Sequence, residues 1–183
     1  GQKGIIIIND AHRWEPGAAY LYQFDITYGE NSAENTDHYT LPFGVRTIEV
    51  TEKEFKINGK RFYFKGFGKH EDSDIRGKGL DQALNVRDAE LLKWMGANSF
   101  RTSHYPYSEE MMQLADRQGF VIIDEVPAVG MNMFMPGAPD IFTKERVTEK
   151  TLAHHKTVLK ELYQRDKNHP CVFMLSVTNE PNY

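Results

Sequence analysis

Beyond about residue 50 the sequence repeats one unit: a short apolar run, a knot of polar residues, then a stretch of helical periodicity. This rhythm constrains the fold most, because a strand that returns parallel to its predecessor needs a crossover, normally a helix. The runs are Phe64–Gly68, Asn98–Thr102, Phe120–Val126 and Cys171–Val177. Between them, residues 83–95 place Leu84, Leu91, Leu92 and Met95 on one helical face, and Gly96 ends that helix. Ser108 reads as an N-cap, with Glu109 and Glu110 in the first turn of a helix closed by Gly119. A third helix carries Leu152, Leu159 and Leu162 in register. The near-continuous apolarity of Phe120–Val126 suits a parallel strand covered on both faces. Asn58-Gly59, between Phe55–Ile57 and Arg61–Phe64, signals a tight hairpin that opens the region. The fold class expected is therefore α/β, with four parallel strands as the first half of a (β/α)8 barrel.

Before residue 50 the pattern differs. Gln2–Ile8, Tyr20–Tyr28 and Tyr39–Val50 read as strands, the last interrupted by Pro42 and Gly44. Trp14-Glu15-Pro16-Gly17 and Gly29-Glu30-Asn31-Ser32 are turn material between them. Three strands are too few for an independent domain, so residues 1–50 are expected to be the end of a β-sandwich, and residues 51–183 the barrel portion. The net charge of −4 gives no electrostatic reason to expect nucleic acid or an anionic membrane as partner. Cys171 is the lone cysteine, which excludes an internal disulfide and favours a reducing compartment. With no signal peptide in view, the expectation is cytoplasmic.

The polar knots fall at the C-terminal ends of the four strands. Lys69, His70, Glu71 and Asp72 follow the first; Arg101, Ser103 and His104 follow the second; Asp124 and Glu125 end the third; Asn179 and Glu180 end the fourth. In a barrel of parallel strands that end carries the chemistry. One carboxylate there is ordinarily a solvated surface residue, and one histidine ordinarily a structural hydrogen-bonding residue. Four successive strands each ending in such groups are expected to converge on one face. A carboxamide and a carboxylate closing an apolar strand are also costly to desolvate unless the site uses them. His154-His155 and His70-Glu71-Asp72 lack recognised ligand spacing, so neither a metal nor a cofactor is expected. The Met131–Met135 loop reads either as a cover for a leaving group or as core filler.

Two segments carry a specific resemblance. Asn98-Ser99-Phe100-Arg101-Thr102-Ser103-His104-Tyr105-Pro106 with Asp116-Arg117-Gln118-Gly119-Phe120-Val121-Ile122-Ile123 resembles one signature of glycoside hydrolase family 2. Asp166-Lys167-Asn168-His169-Pro170 running to Asn179-Glu180-Pro181 resembles the acid/base signature of the same family. Within it, Phe64 to Gly79 looks like the branch that cleaves β-glucuronides rather than β-galactosides or β-mannosides. Trp14-Glu15-Pro16 and Leu41-Pro42-Phe43-Gly44-Val45-Arg46 resemble the last strands of the family's immunoglobulin-like domain.

The resemblance implies a retaining hydrolase with Glu180 as general acid/base and Asn179 bound to the sugar 2-hydroxyl. It also implies that His104 and His70 line the glycone pocket, that Arg101 orients the catalytic carboxylates, and that Glu125 belongs to the substrate-binding set. The nucleophile and the carboxylate grip, an Asn-x-Lys, are expected on strands beyond Tyr183, and the complete protein is expected to be a homo-oligomer. Leu175 departs from the pattern, standing where the family usually has tryptophan. Two alternatives follow: another family 2 β-glycosidase, such as a β-galactosidase-like one, or a non-catalytic sugar-binding relative. The first geometric expectation is that His70, Arg101, Glu125 and Glu180 share one end of a parallel sheet.

Overall fold

The computed structural model describes residues 3–29, 36–130, 137 and 139–181. Three sheets follow one another along the chain. The first is a two-stranded antiparallel ribbon, β1 (Tyr22–Gly29) with β2 (Thr36–Phe43). The second joins β3 (Ile48–Val50), β4 (Phe55–Ile57) and β5 (Lys60–Phe62). The third holds β6 (Gly66–Lys69), β7 (Ser99–Thr102), β8 (Val121–Glu125) and β9 (Val172–Ser176), in that order and all parallel. Helices α1 (Gln82–Trp94), α2 (Glu109–Gln118) and α3 (Glu149–Asp166) form the crossovers. The sheet is thus four consecutive parallel strands of an α/β barrel wall, joined by three helical crossovers.

Local chemistry sets each boundary. Asn58 and Gly59 adopt φ values of 52° and 79°, the left-handed pair that a two-residue hairpin requires. Asp81 caps α1 by accepting from the Leu84 amide, Ser108 caps α2 through Met111, and Thr148 with Thr151 forms a capping box on α3. Gly119 ends α2 at φ 78°, where a Cβ would lie 2.4 Å from the Gly17 nitrogen. Gly66 permits an equally close approach, because a Cβ there would lie 2.1 Å from the Ser99 carbonyl oxygen.

Packing explains where the sequence reading needs correction. Residues 3–8 form no strand, and Ile5, Ile6 and Ile7 are exposed: among the described residues no chain segment pairs with them. The Tyr39–Val50 stretch divides into parts of two sheets, since β2 pairs with β1 while β3 pairs with β4. The second sheet therefore crosses residue 50. Helix α1 buries Asn85, Ala89 and Leu92, whereas Leu91 and Met95 are exposed; its contact face is narrower than leucine spacing suggests. On α3 Leu162 is buried but Leu152 is exposed. The Gly29–Ser32 turn, from Glu30 onward, and the Met131–Met135 loop lie outside the described residues.

The core runs from Trp14 and Ile57 through Phe100, Tyr107, Met111, Met112, Phe120, Val121, Ile122 and Cys171. The segment before residue 50 is locked to the N-terminal ends of the barrel strands by polar contacts. Trp14 is fully buried and donates Nε1–H to the Asp116 carbonyl at 2.8 Å. Arg46 donates to the carbonyls of Pro170 and Val172, each at 2.6 Å, with its guanidinium over the Phe173 ring. The Asp116 carboxylate accepts from His169 Nδ1 at 2.6 Å and the Cys171 amide at 3.0 Å, fixing the turn into β9 to α2. Burial alone would lower the His169 pKa, yet the hydrogen bond and charge of Asp116 raise it on balance.

Among the described residues β6 pairs only with β7 and β9 only with β8, so both carry an open backbone edge. Phe67 is half exposed, and Leu175 and Val177 are also open to solvent. Unpaired edges beside apolar surface invite association. An isolated polypeptide of these 183 residues should therefore self-associate and show no cooperative unfolding. Size-exclusion chromatography with thermal circular dichroism checks this; a monomer with one sharp transition is the contrary result.

Candidate active site

The four strands present their C-terminal ends side by side. The end of β6 is fixed first. Lys69 is buried and its ammonium lies 2.9 Å from Asp88 of α1, so it points away from the lip to bind the helix. Tyr107, after β7, donates its hydroxyl to the carbonyls of Lys69 and Ser103 and so bridges the first two strand ends. Burial, before all other causes, raises the Tyr107 pKa, which keeps that hydroxyl protonated. With Lys69 turned inward, His70 stands at the lip, its ring edge-on to His104 with centroids 5.3 Å apart. Half-burial likewise raises the Glu71 pKa.

The middle of the site is built around Glu125. Its carboxylate has no solvent exposure. One oxygen faces His104 Nδ1 at 2.7 Å; the other accepts the Ser176 hydroxyl at 2.6 Å and lies 3.3 Å from Arg101 Nε. Arg101 extends further and donates Nη2–H to Asn179 Oδ1 at 3.2 Å. Residues from β7, from the loop after it, from β8, from β9 and from the lip beyond β9 are thereby joined through polar contacts. A register shift makes this possible. Ile122 pairs with Val172 but Ile123 pairs with Met174, so Phe173 is an extra residue and Ser176 arrives opposite Glu125.

The lip itself is held by backbone contacts. The Asn179 amide and the Thr178 hydroxyl both donate to the Ala128 carbonyl at 2.9 Å. Asn179 is buried, while Glu180, next in the chain, is exposed and adopts φ 43°. Left-handed backbone costs a non-glycine residue about 1–2 kcal/mol, and such residues concentrate where geometry serves a site. His70, His104, Arg101, Glu125 and Asn179 are thus gathered at one end of the sheet, with Glu180 on the same lip.

Asp124 departs from the expected convergence. Successive strand residues face opposite sides, and Asp124 faces the helices while Glu125 faces Arg101 and His104. Asp124 is fully buried and accepts the Thr102 hydroxyl at 3.2 Å through Oδ1, while its Oδ2 is buried without a hydrogen-bond partner among the described residues; Asp166 at the end of α3 is its acidic neighbour. Arg165 grips Asp166 through Nε at 2.7 Å and Nη2 at 2.6 Å, and Nη2 also donates to the Tyr107 carbonyl at 2.8 Å. Burial, then the interaction with Asp166, push the Asp124 carboxyl up to about 8, so Asp124 holds a proton well above the usual carboxylate range. Leu175 is registered with Asp124 and so lies on this helix-facing side. Strand alternation could have separated Asp124 from Glu125. The Ser176 contact had no comparable sequence signal, because the register shift that creates it does not show in composition. His154 is exposed and His155 half-buried on α3, and among the described residues no three His, Cys, Asp or Glu side chains gather as metal ligands would.

The chain is similar to proteins of one family. Residues 48–183 match the family described as "Glycosyl hydrolases family 2, TIM barrel domain", and the chain belongs to that family. A "Beta-glucuronidase" of Paenibacillus borealis is 55% identical over 180 residues, covering 98% of this chain and 30% of that protein. The structure titled "Uncultured Clostridium sp. Beta-glucuronidase" is 72% identical with a TM-score of 0.84, covering 94% of this chain and 28% of that one. A third is titled "Structure of Bifidobacterium dentium beta-glucuronidase complexed with coumarin-3-O-glucuronide". It is 48% identical with a TM-score of 0.81, over 96% of this chain and 27% of that one. The chain spans less than a third of the length of these relatives.

The acid pair behind the site has a measurable consequence. The Asp124 pKa is raised from 3.8 to about 8, so between those values the folded state keeps a proton that the unfolded chain releases. Its contribution to stability is present in full below the lower value and is lost as pH rises through the upper one. Asp124→Asn can still accept from Thr102 and can donate to Asp166 without a titratable proton. In a polypeptide completed to the length of its relatives, melting temperatures of wild type and variant at pH 5 and pH 8 should show the variant gaining relative to wild type at the higher pH. Parallel pH profiles would show that Asp124 does not keep that proton in the folded state.

Proposed function

We propose that this chain carries the acid/base half of a retaining β-glucuronidase site, hydrolysing β-D-glucuronides of small molecules or oligosaccharides. The observation that carries the reading is the Arg101–Asn179 contact beside the His104–Glu125 pair, which gathers the family's signature residues at the strand ends where barrel enzymes act. The similarity to proteins named "Beta-glucuronidase", one of them bound to a glucuronide, supports the substrate class.

In this mechanism Glu180 protonates the glycosidic oxygen as the bond breaks and then, as carboxylate, activates the water that releases the sugar. A second carboxylate about 5–5.5 Å away forms the glycosyl-enzyme, and it is supplied by a barrel strand beyond Tyr183. Asn179 holds the 2-hydroxyl, where hydrogen bonds strengthen in the transition state. His104 and His70 line the sugar pocket. Neither a metal nor a cofactor takes part in this reading.

The domain assignment belongs to the same proposal. The segment before β3 is read as the end of an immunoglobulin-like sandwich and the chain from β3 onward as the first half of the barrel, so the boundary expected at residue 50 moves to about residue 47, where it does not cut the second sheet. The aromatic-rich β1–β2 ribbon and the start of the family match at residue 48 support it. The complete protein is read as a cytoplasmic homo-oligomer.

Glu180→Gln in the completed polypeptide tests the role of Glu180. General acid catalysis contributes about 10²–10⁴-fold, so turnover of a glucuronide with a poor leaving group should fall by that order. The glycosylation step of a substrate with a strongly acidic leaving group should fall far less, because its departing oxygen needs little protonation. Pre-steady-state release of the leaving group measures that step. Equal losses for the two substrates would assign the acid to another residue.

A further inference from the structure

Glu125, expected among the substrate-binding residues, has no exposed surface, and donors from two other strands and a loop converge on its two oxygens. We propose that Glu125 is a positioning residue: it sets the tautomer of His104 and, through Arg101, the orientation of the Asn179 carboxamide. The inference rests on the glycosidase reading given above.

The chemistry of the partners carries it. An ionised carboxylate only accepts hydrogen bonds. The His104 nitrogen 2.7 Å from Glu125 must then bear the proton, so Nδ1–H is fixed and Nε2 is the atom His104 offers to the pocket. The same reasoning passes through Arg101. Its guanidinium only donates, and Nη2 lies 3.2 Å from the Asn179 side chain, so the carbonyl oxygen of that carboxamide faces inward. The Asn179 NH2 is left to point outward as a donor. Arg101 is aimed along this line by the ion pair of its Nε with Glu125 at 3.3 Å, beside a longer hydrogen bond from the same Nε to the Ser103 hydroxyl at 3.5 Å. Glu125 thus imposes polarity on two groups it shares with the sugar pocket, without reaching the sugar itself.

Glutamine in its place keeps the shape and cannot keep the pattern. One end of a carboxamide donates, so either His104 or Arg101 must face an NH2 group. In the first case His104 Nδ1 loses its proton and the ring changes tautomer. In the second, Arg101 loses the charge that faces its Nε and keeps only the Ser103 hydroxyl there, so its aim at Asn179 is loosened. Ser176 adapts to either end, because a hydroxyl both donates and accepts.

The test uses 15N NMR on a polypeptide completed to the length of its relatives, labelled at histidine and arginine, with Glu125→Gln beside wild type. The wild-type His104 should show a protonated Nδ1, and Arg101 Nε–H should exchange slowly. In the variant one of these two signatures should change, and kcat/KM for a glucuronide should fall up to about 100-fold, the scale of small misplacements in an active site. A bare Nδ1 in wild-type His104 overturns the proposal, and this measurement stands even where the variant does not fold. A folded variant with both signatures intact and activity within about twofold of wild type overturns it as well. A wild type without glucuronide turnover would sink the functional reading instead, while its His104 spectrum still decides the tautomer.

Discussion

Burying the Glu125 carboxylate is the constraint on which the site depends. An ionised group removed from water must be matched by donors, and stranding one by deleting its partner costs about 3–5 kcal/mol. Here the donors come from β7, from the loop after it and from β9, so the carboxylate is satisfied only when those elements are in their correct register. The register shift at Ile122/Ile123 belongs to the same requirement, since without it Ser176 would not arrive opposite Glu125. Order at the lip, where Asn179 and Glu180 sit, is therefore inherited from a charge lying beneath it.

The two ends and two faces of the sheet divide the work. At the N-terminal ends, Trp14, Arg46 and the Asp116–His169 contact clamp the preceding segment, α2 and the entry to β9 together. On the helix-facing side, Asp124, Thr102, Asp166 and Arg165 tie β7 and β8 to α3. Thr102 links the faces, because its hydroxyl donates to Asp124 and accepts from the Glu125 amide. Adjacent acids on one strand thus serve different ends: Asp124 holds a helix, and Glu125 holds the site.

Much of this was legible in the residues. Asn58-Gly59, the Ser108 cap and the strand-helix alternation each have a local physical cause, and those elements stand where the pattern puts them. The strand ends were legible for the same reason, since parallel strands in sequential order leave their C-terminal residues side by side. What the sequence could not reveal depends on partners distant along the chain. The isoleucines at 5–7 look like a strand only if something pairs with them. Leu91 and Met95 look buried only if a neighbour covers that part of α1. Lys69 and Asp124 share lips with His70 and Glu125 but turn away toward helices, a choice set by Asp88 and Asp166. The contact of Ser176 with Glu125 depends on a bulge whose cause lies in strand pairing.

The central claim is that these strand ends form a glucuronide site in which His104 and Asn179 meet the sugar and Glu180 meets the bond to be broken. A crystal structure of the completed polypeptide with a glucuronide-shaped inhibitor tests it most directly. The account predicts the sugar ring at this end of the sheet, with His104 Nε2 and the Asn179 NH2 within about 3 Å of its hydroxyls, Glu180 beside the glycosidic oxygen, and Glu125 out of contact beneath them. An inhibitor bound elsewhere, or one that Glu125 touches directly while Glu180 stands apart, would contradict it.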